Sequence, residues 1–255
     1  MSSDYIEKNL LSSLQSEFHV WYCCPDEVTD KNILDEYHSI LSTEECDKFK
    51  RFHFDKDRHS YLISHALVRK VLSSYCNVKP DAWSFTGNQH GKPNISPEIK
   101  CPALKFNLSH ADGMSVVVVS LDNDCGIDVE NTQRKSRASA VAERMFAPAE
   151  VAAMQSGNDS EVQRKFFEFW TLREAYVKAI GTGLGGSSKE FYFTVGGQER
   201  GEQRMSKIHF VPDDSERSSA WQFILLNLSS EHISAVALKV ESIREKMLVS
   251  YKFTP

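Results

Sequence analysis

Four runs in this chain carry side chains whose types and spacing could do chemistry together. In Gly126-Ile127-Asp128-Val129-Glu130 two carboxylates stand two residues apart. Residues i and i+2 of an extended segment project to one face, so Asp128 and Glu130 point the same way while Ile127 and Val129 turn to a core. Two carboxylates on one face repel unless a cation lies between them. An all-oxygen set suits a hard ion such as Mg²⁺, which completes its shell with water and phosphate oxygens. By itself the run more often marks a solvated strand end with two unconnected acids. A second run, Trp170-Thr-Leu-Arg173-Glu174-Ala-Tyr-Val-Lys178, puts Trp170, Glu174 and Lys178 at successive i, i+4 positions on one helix face. Alone it is a routine Glu–Lys pair beside a core tryptophan.

The third run, Phe106-Asn107-Leu108-Ser109-His110-Ala111-Asp112-Gly113, alternates apolar residues into a strand that delivers Ser109 and His110 to its end. A hydroxyl and an imidazole there can donate to phosphate oxygens. Ser109 has no GxSxG elbow around it and is no hydrolase nucleophile; the plainer reading is a hydrogen-bonded turn before a buried strand. The fourth run, Lys48 to Arg58, interleaves Lys48, Lys50, Arg51, Lys56 and Arg58 with Phe49, Phe52 and Phe54. It reads as a patch for a terminal phosphate or as a solvated helix end.

Other chemistries find no support. The chain has 255 residues, 41% hydrophobic and 25% charged, with a formal net charge of −5. That is an ordinary globular composition with no basic surplus for nucleic acid or an anionic membrane, so an anionic ligand needs a local basic cluster. Six cysteines without a CxxC pair and nine histidines without an HExxH pattern give no zinc or disulfide framework, and reduced thiols in a cytoplasmic protein are expected. Met1 to Glu17 lacks the apolar stretch of a signal peptide, and the Val116–Val119 run is too short to span a bilayer. Gly181-Thr-Gly183-Leu-Gly-Gly186 matches GxGxxG but follows a helix, the wrong context for a dinucleotide site. P-loop and kinase signatures are missing.

The elements that must position these residues read as α+β. Asp57–Tyr75 and Lys165–Ile180 have helical spacing, with Gly181 as a C-cap. Strands are expected at Trp83–Thr86, Ser115–Leu121, Phe191–Val195, Trp221–Leu228 and Ile233–Val240. Leu72 and Ile180 are 108 residues apart, as are Phe85 and Phe193. One offset shared by helix and strand points to a duplication with its joint near Asp122–Asp124. The expected division is an N-terminal α+β half, 1–123, and a C-terminal α+β half, 124–255, which carries the acids.

In this order the runs resemble the long, surfactin-synthetase type of 4′-phosphopantetheinyl transferase. That family carries a GKP turn (here Gly91-Lys92-Pro93), an SHxxG-like motif (Ser109 to Gly113), GxDxE (Gly126 to Glu130) and a WxxKEAxxK helix (Trp170 to Lys178). The family's chain is a pseudo-twofold pair of similar α+β halves, as the duplication suggests, and a monomer is expected because one chain supplies both. Arg173 stands where the family usually has Lys, which leaves its role open.

The resemblance implies transfer of the 4′-phosphopantetheine of coenzyme A to a serine of an apo acyl or peptidyl carrier protein, a holo-[acyl-carrier-protein] synthase activity releasing adenosine 3′,5′-bisphosphate. It implies Mg²⁺ on Asp128, Glu130 and Glu174, and Glu174 as base, directly or through a bound water. Lys178 would meet the departing phosphate. Coenzyme A would be contacted by Arg58, Lys92, Pro93, Ser109, His110, Asp128 and Lys178. The alternatives are a non-catalytic coenzyme A or carrier-protein binding module and another Mg²⁺-dependent phosphotransferase.

Overall fold

The computed structural model describes residues 10–134, 138–155, 157–183, 190–201, 203–240 and 245–255. Residues 1–9, within the stretch expected to carry no signal peptide, and Leu184 to Gly186 of the glycine-rich run lie outside them. The chain divides into two compact units, Met1–Asp122 with Lys246–Pro255, and Asn123–Glu245.

The first unit runs β1 (Glu17–Cys23), α1 (Lys31–Ser39), α2 (Thr43–Arg51), α3 (Asp55–Ser73), β2 (Phe85–Gly87), β3 (Pro93–Ile95), β4 (Leu104–Ala111) and β5 (Met114–Leu121). The second runs β6 (Cys125–Asn131), α4 (Ala138–Met145), α5 (Pro148–Met154), α6 (Asp159–Ile180), β7 (Phe191–Arg200), β8 (Gln203–Phe210), α7 (Ser215–Ser219), β9 (Trp221–Asn227) and β10 (His232–Lys239). The last strand, β11 (Met247–Lys252), returns to the first unit, where it pairs in parallel with β1. The expected C-terminal half, 124–255, therefore needs correcting at its end: Leu248 of this strand is buried, and its backbone completes the edge of the first sheet.

Each unit is a helix-covered sheet, and the order of elements repeats. The sheets run β11-β1-β5-β4 and β6-β10-β9-β8-β7, with β2 and β3 as a separate hairpin. In both units the opening strand is followed by a long helix, a hairpin and a second hairpin. The final strand of that second hairpin pairs antiparallel with the opening one, β1 with β5 and β6 with β10. Leu72 and Ile180 fall at the ends of the corresponding helices α3 and α6, as the common offset requires.

Local chemistry sets the helix limits. Ser42 and Glu45 form a capping box at the start of α2, and Asn158 and Glu161 form another at α6. Gly181 closes α6 at φ 68°, a left-handed conformation that costs glycine little. Phe166, Phe167, Leu172, Ala175, Tyr176 and Ala179 of α6 are buried in the second core with Phe193, Phe223 and Ala235 of the sheet. Leu62, Ala66, Leu67 and Val71 of α3 pack with Phe106, Val117 and Val119 in the first. Val116 to Val119 are all fully buried because β5 is an inner strand covered on both faces.

Candidate active site

Two neighbouring elements bring the acids of the second unit together. β6 alternates as its sequence demands. Ile127 and Val129 are fully or almost fully buried, and Asp128 and Glu130 share the opposite projection along the strand. The long helix α6 presents Trp170, Glu174 and Lys178 one turn after another. Gly126 lets the two elements touch: a Cβ there would lie 2.1 Å from the Ala175 carbonyl oxygen and 2.5 Å from the Ala179 nitrogen. No side chain fits, so the first residue of the GIDVE run is a packing requirement of the site.

The charges of the three carboxylates act on one another. Burial, then the charge of Asp128, pushes the Glu174 carboxyl up to about 7, with Glu130 adding to the rise and Lys178 opposing it. Glu130 is raised by burial and then by Asp128, against the pull of Arg134, Lys178 and a hydrogen bond donated by the Trp170 indole. The Arg134 guanidinium lies 3.5 Å from Glu130 Oε2. Lys178 Nζ donates to Asp128 Oδ1 at 2.7 Å, with Asp128 almost wholly buried. This all-oxygen, mutually repelling set fits a hard divalent cation. Among the described residues, no three His, Cys, Asp or Glu side chains already form a metal-holding group.

Arg173 does not join the cluster. It turns the other way from α6 and is buried. Its Nε lies 3.2 and 3.1 Å from the two oxygens of Glu150, and its Nη2 donates to the Phe191 carbonyl at 2.9 Å. Its guanidinium stacks over the Phe191 ring at 4.6 Å. Glu150 in turn accepts from the backbone N–H of Ala147 and Phe193. The arginine is thus a structural tie between α6, α5 and β7, a role its place beside Glu174 in the sequence did not reveal.

The remaining candidates belong to the first unit. Ser109 is buried and His110 exposed near the end of β4, before a turn in which Gly113 has φ 83°. Asp112 of that turn forms an ion pair with Lys56 at the start of α3, bringing the basic run beside the Ser109–His110 strand. Arg58, further along the first turn of α3, spans Asp55 Oδ1 at 2.7 Å and the Phe52 carbonyl at 2.9 Å. It lines a cavity of about 290 Å³ with His38, Phe49 and His59. Lys92 and Pro93 close the β2–β3 hairpin, whose turn is organised by Asn88 Oδ1 accepting from the backbone of His90 and Lys92.

Both units match family models in chain order. Residues 29–122 match the 4′-phosphopantetheinyl transferase N-terminal model, and residues 124–237 match that of the 4′-phosphopantetheinyl transferase superfamily. The 4′-phosphopantetheinyl transferase HetI of Nostoc sp. is 31% identical over 174 residues, which cover 68% of this chain and 73% of that protein.

This chain belongs to the 4′-phosphopantetheinyl transferase family.

Other relatives are the 4′-phosphopantetheinyl transferase gsp of Aneurinibacillus migulanus, 32% identical over 63% of this chain and 64% of its own, and the mouse L-aminoadipate-semialdehyde dehydrogenase-phosphopantetheinyl transferase, 26% identical over 83% and 71%. As a phosphopantetheinyl transferase, the chain moves the phosphopantetheine of coenzyme A to an apo carrier protein. The family is in general metal-dependent.

Proposed function

We propose that the chain is a Mg²⁺-dependent holo-[acyl-carrier-protein] synthase whose metal and proton-transfer residues are Asp128, Glu130, Glu174 and Lys178. The observation that carries this reading is the set of three carboxylates on β6 and α6, buried Asp128 with half-buried Glu130 and Glu174, whose charges act on one another with Lys178 beside Asp128.

Asp128, Glu130 and Glu174 would hold the cation. When bound, it would neutralise pyrophosphate charge. Glu174 receives the proton of the carrier serine as its oxygen attacks the β-phosphorus. The bond from phosphorus to adenosine 3′,5′-bisphosphate breaks, and Lys178 meets the charge on the leaving phosphate. Ser109 and His110 donate to the pyrophosphate, and Lys92 and Pro93 border the nucleotide. Arg58 contacts the 3′-phosphate, a role supported by its partly exposed guanidinium beside a cavity.

The partners are coenzyme A and an acyl, polyketide or nonribosomal peptide carrier protein, with neither nucleic acid nor membrane involved. The chain acts as a monomer. Among the described residues no disulfide links the six cysteines, which supports a reducing, cytoplasmic setting. Among the described residues no helix is long and apolar enough to cross a membrane. Incubating an apo carrier protein with the enzyme, coenzyme A and Mg²⁺ should add the phosphopantetheine mass to the carrier. No mass gain across a panel of apo carriers, or full transfer in excess EDTA, would refute the proposal.

A further inference from the structure

The assignment of Lys178 to the leaving phosphate does not explain where its ammonium sits in the structure. Its Nζ is 2.7 Å from Asp128 Oδ1, and the two side chains are 28% and 8% exposed. Asp128 is the acid whose charge acts on both other carboxylates, and the lysine's charge opposes the rise at both. The ammonium therefore stands where an acid cluster most needs positive charge. Lys178 is in the last turn of α6, where the helix end favours a cation, and four flexible methylenes let the head group move without the backbone.

We propose that Lys178 is the place-holding cation of this cluster: its ammonium occupies Asp128 until a divalent ion binds, then leaves that carboxylate for the phosphate of the substrate. This rests on the reading of Asp128, Glu130 and Glu174 as cation ligands. It ties two events that would otherwise be independent. The ion that organises the acids also frees the lysine, so the cationic head reaches the leaving group only in the loaded enzyme. The cost of removing Lys178 from Asp128 is offset by the stronger attraction of a doubly charged ion for the same oxygen. Cation and lysine compete for Asp128, and the competition has a sign that can be measured without turnover.

The probe is Mg²⁺ alone, without coenzyme A, titrated calorimetrically into the full chain. Lys178→Met keeps the length of the side chain and removes the competitor, so it should bind Mg²⁺ up to about fivefold more tightly, the range of a partly exposed ion pair. Arg134→Met is the control. It removes a more exposed positive charge, 3.5 Å from Glu130, and leaves Asp128 untouched, so its gain should be smaller than that of Lys178→Met. In parallel, the side-chain ammonium resonance of Lys178, identified by its loss in Lys178→Met, should shift as Mg²⁺ saturates the wild type. Equal gains in the two variants, or saturation by Mg²⁺ with that resonance unmoved, overturns the place-holder while leaving the metal site standing. Absence of Mg²⁺ binding in wild type and Lys178→Met alike overturns the metal reading, and the place-holder with it.

Discussion

Glu174 carries two assignments, metal ligand and base, and two substitutions separate them. Asp128→Ala should lose transfer mainly through weakened Mg²⁺ binding, so raising Mg²⁺ recovers part of the rate. Glu174→Gln keeps an oxygen ligand without a basic carboxylate and should stay about 10²–10⁴-fold down at saturating Mg²⁺. Coenzyme A should still raise its melting temperature. A Mg²⁺ titration of both variants decides, and full rescue of Glu174→Gln would leave Glu174 a ligand only. The same carboxyl makes stability depend on pH. Folding raises it from 4.5 to about 7, so its contribution is complete below about 4.5 and is lost as pH climbs through about 7. Melting in EDTA should therefore fall across that window, and the fall should shrink in Glu174→Gln; an unchanged slope would dissociate it from this residue.

At the scale of elements, the site depends on how closely β6 can approach α6. Gly126→Ala drives a methyl into the backbone of Ala175 and Ala179. It should cost at least ~1–3 kcal/mol, the range for overpacking, and weaken Mg²⁺ binding because Asp128 and Glu130 shift with their strand. Denaturant midpoints and calorimetry read both effects. Arg173 has the opposite profile. Arg173→Ala leaves Glu150 buried without its guanidinium and should cost about 3–5 kcal/mol. Below the melting transition KM for coenzyme A should stay at the wild-type value, and a large rise would return Arg173 to the binding site. The helix was legible from its i, i+4 face and its Gly181 cap. The inward turn of Arg173 was not, because its partner Glu150 lies 23 residues away on another element.

For the molecule as a whole, the tail is the test. Deleting 246–255 removes β11, whose Tyr251 stacks on Trp21 at 4.6 Å and whose Leu248 is buried. Losing that leucine alone should cost about 2 kcal/mol, or roughly 4–8 °C in melting temperature, and exposing the edge of β1 adds to it. A truncated chain melting with the wild type would mean that the strand is dispensable. The family, the α+β halves and the common 108-residue offset were determined by the sequence, because periodicity, caps and short motifs are local and survive in a linear reading. The tertiary structure alone decided that the last strand returns to the first unit, that Gly126 is a close contact with α6, that Arg173 ties α5 to α6, and that Lys178 rests on Asp128. Each of these depends on residues far apart in the chain meeting in space, and no spacing rule along one strand or helix encodes such a meeting.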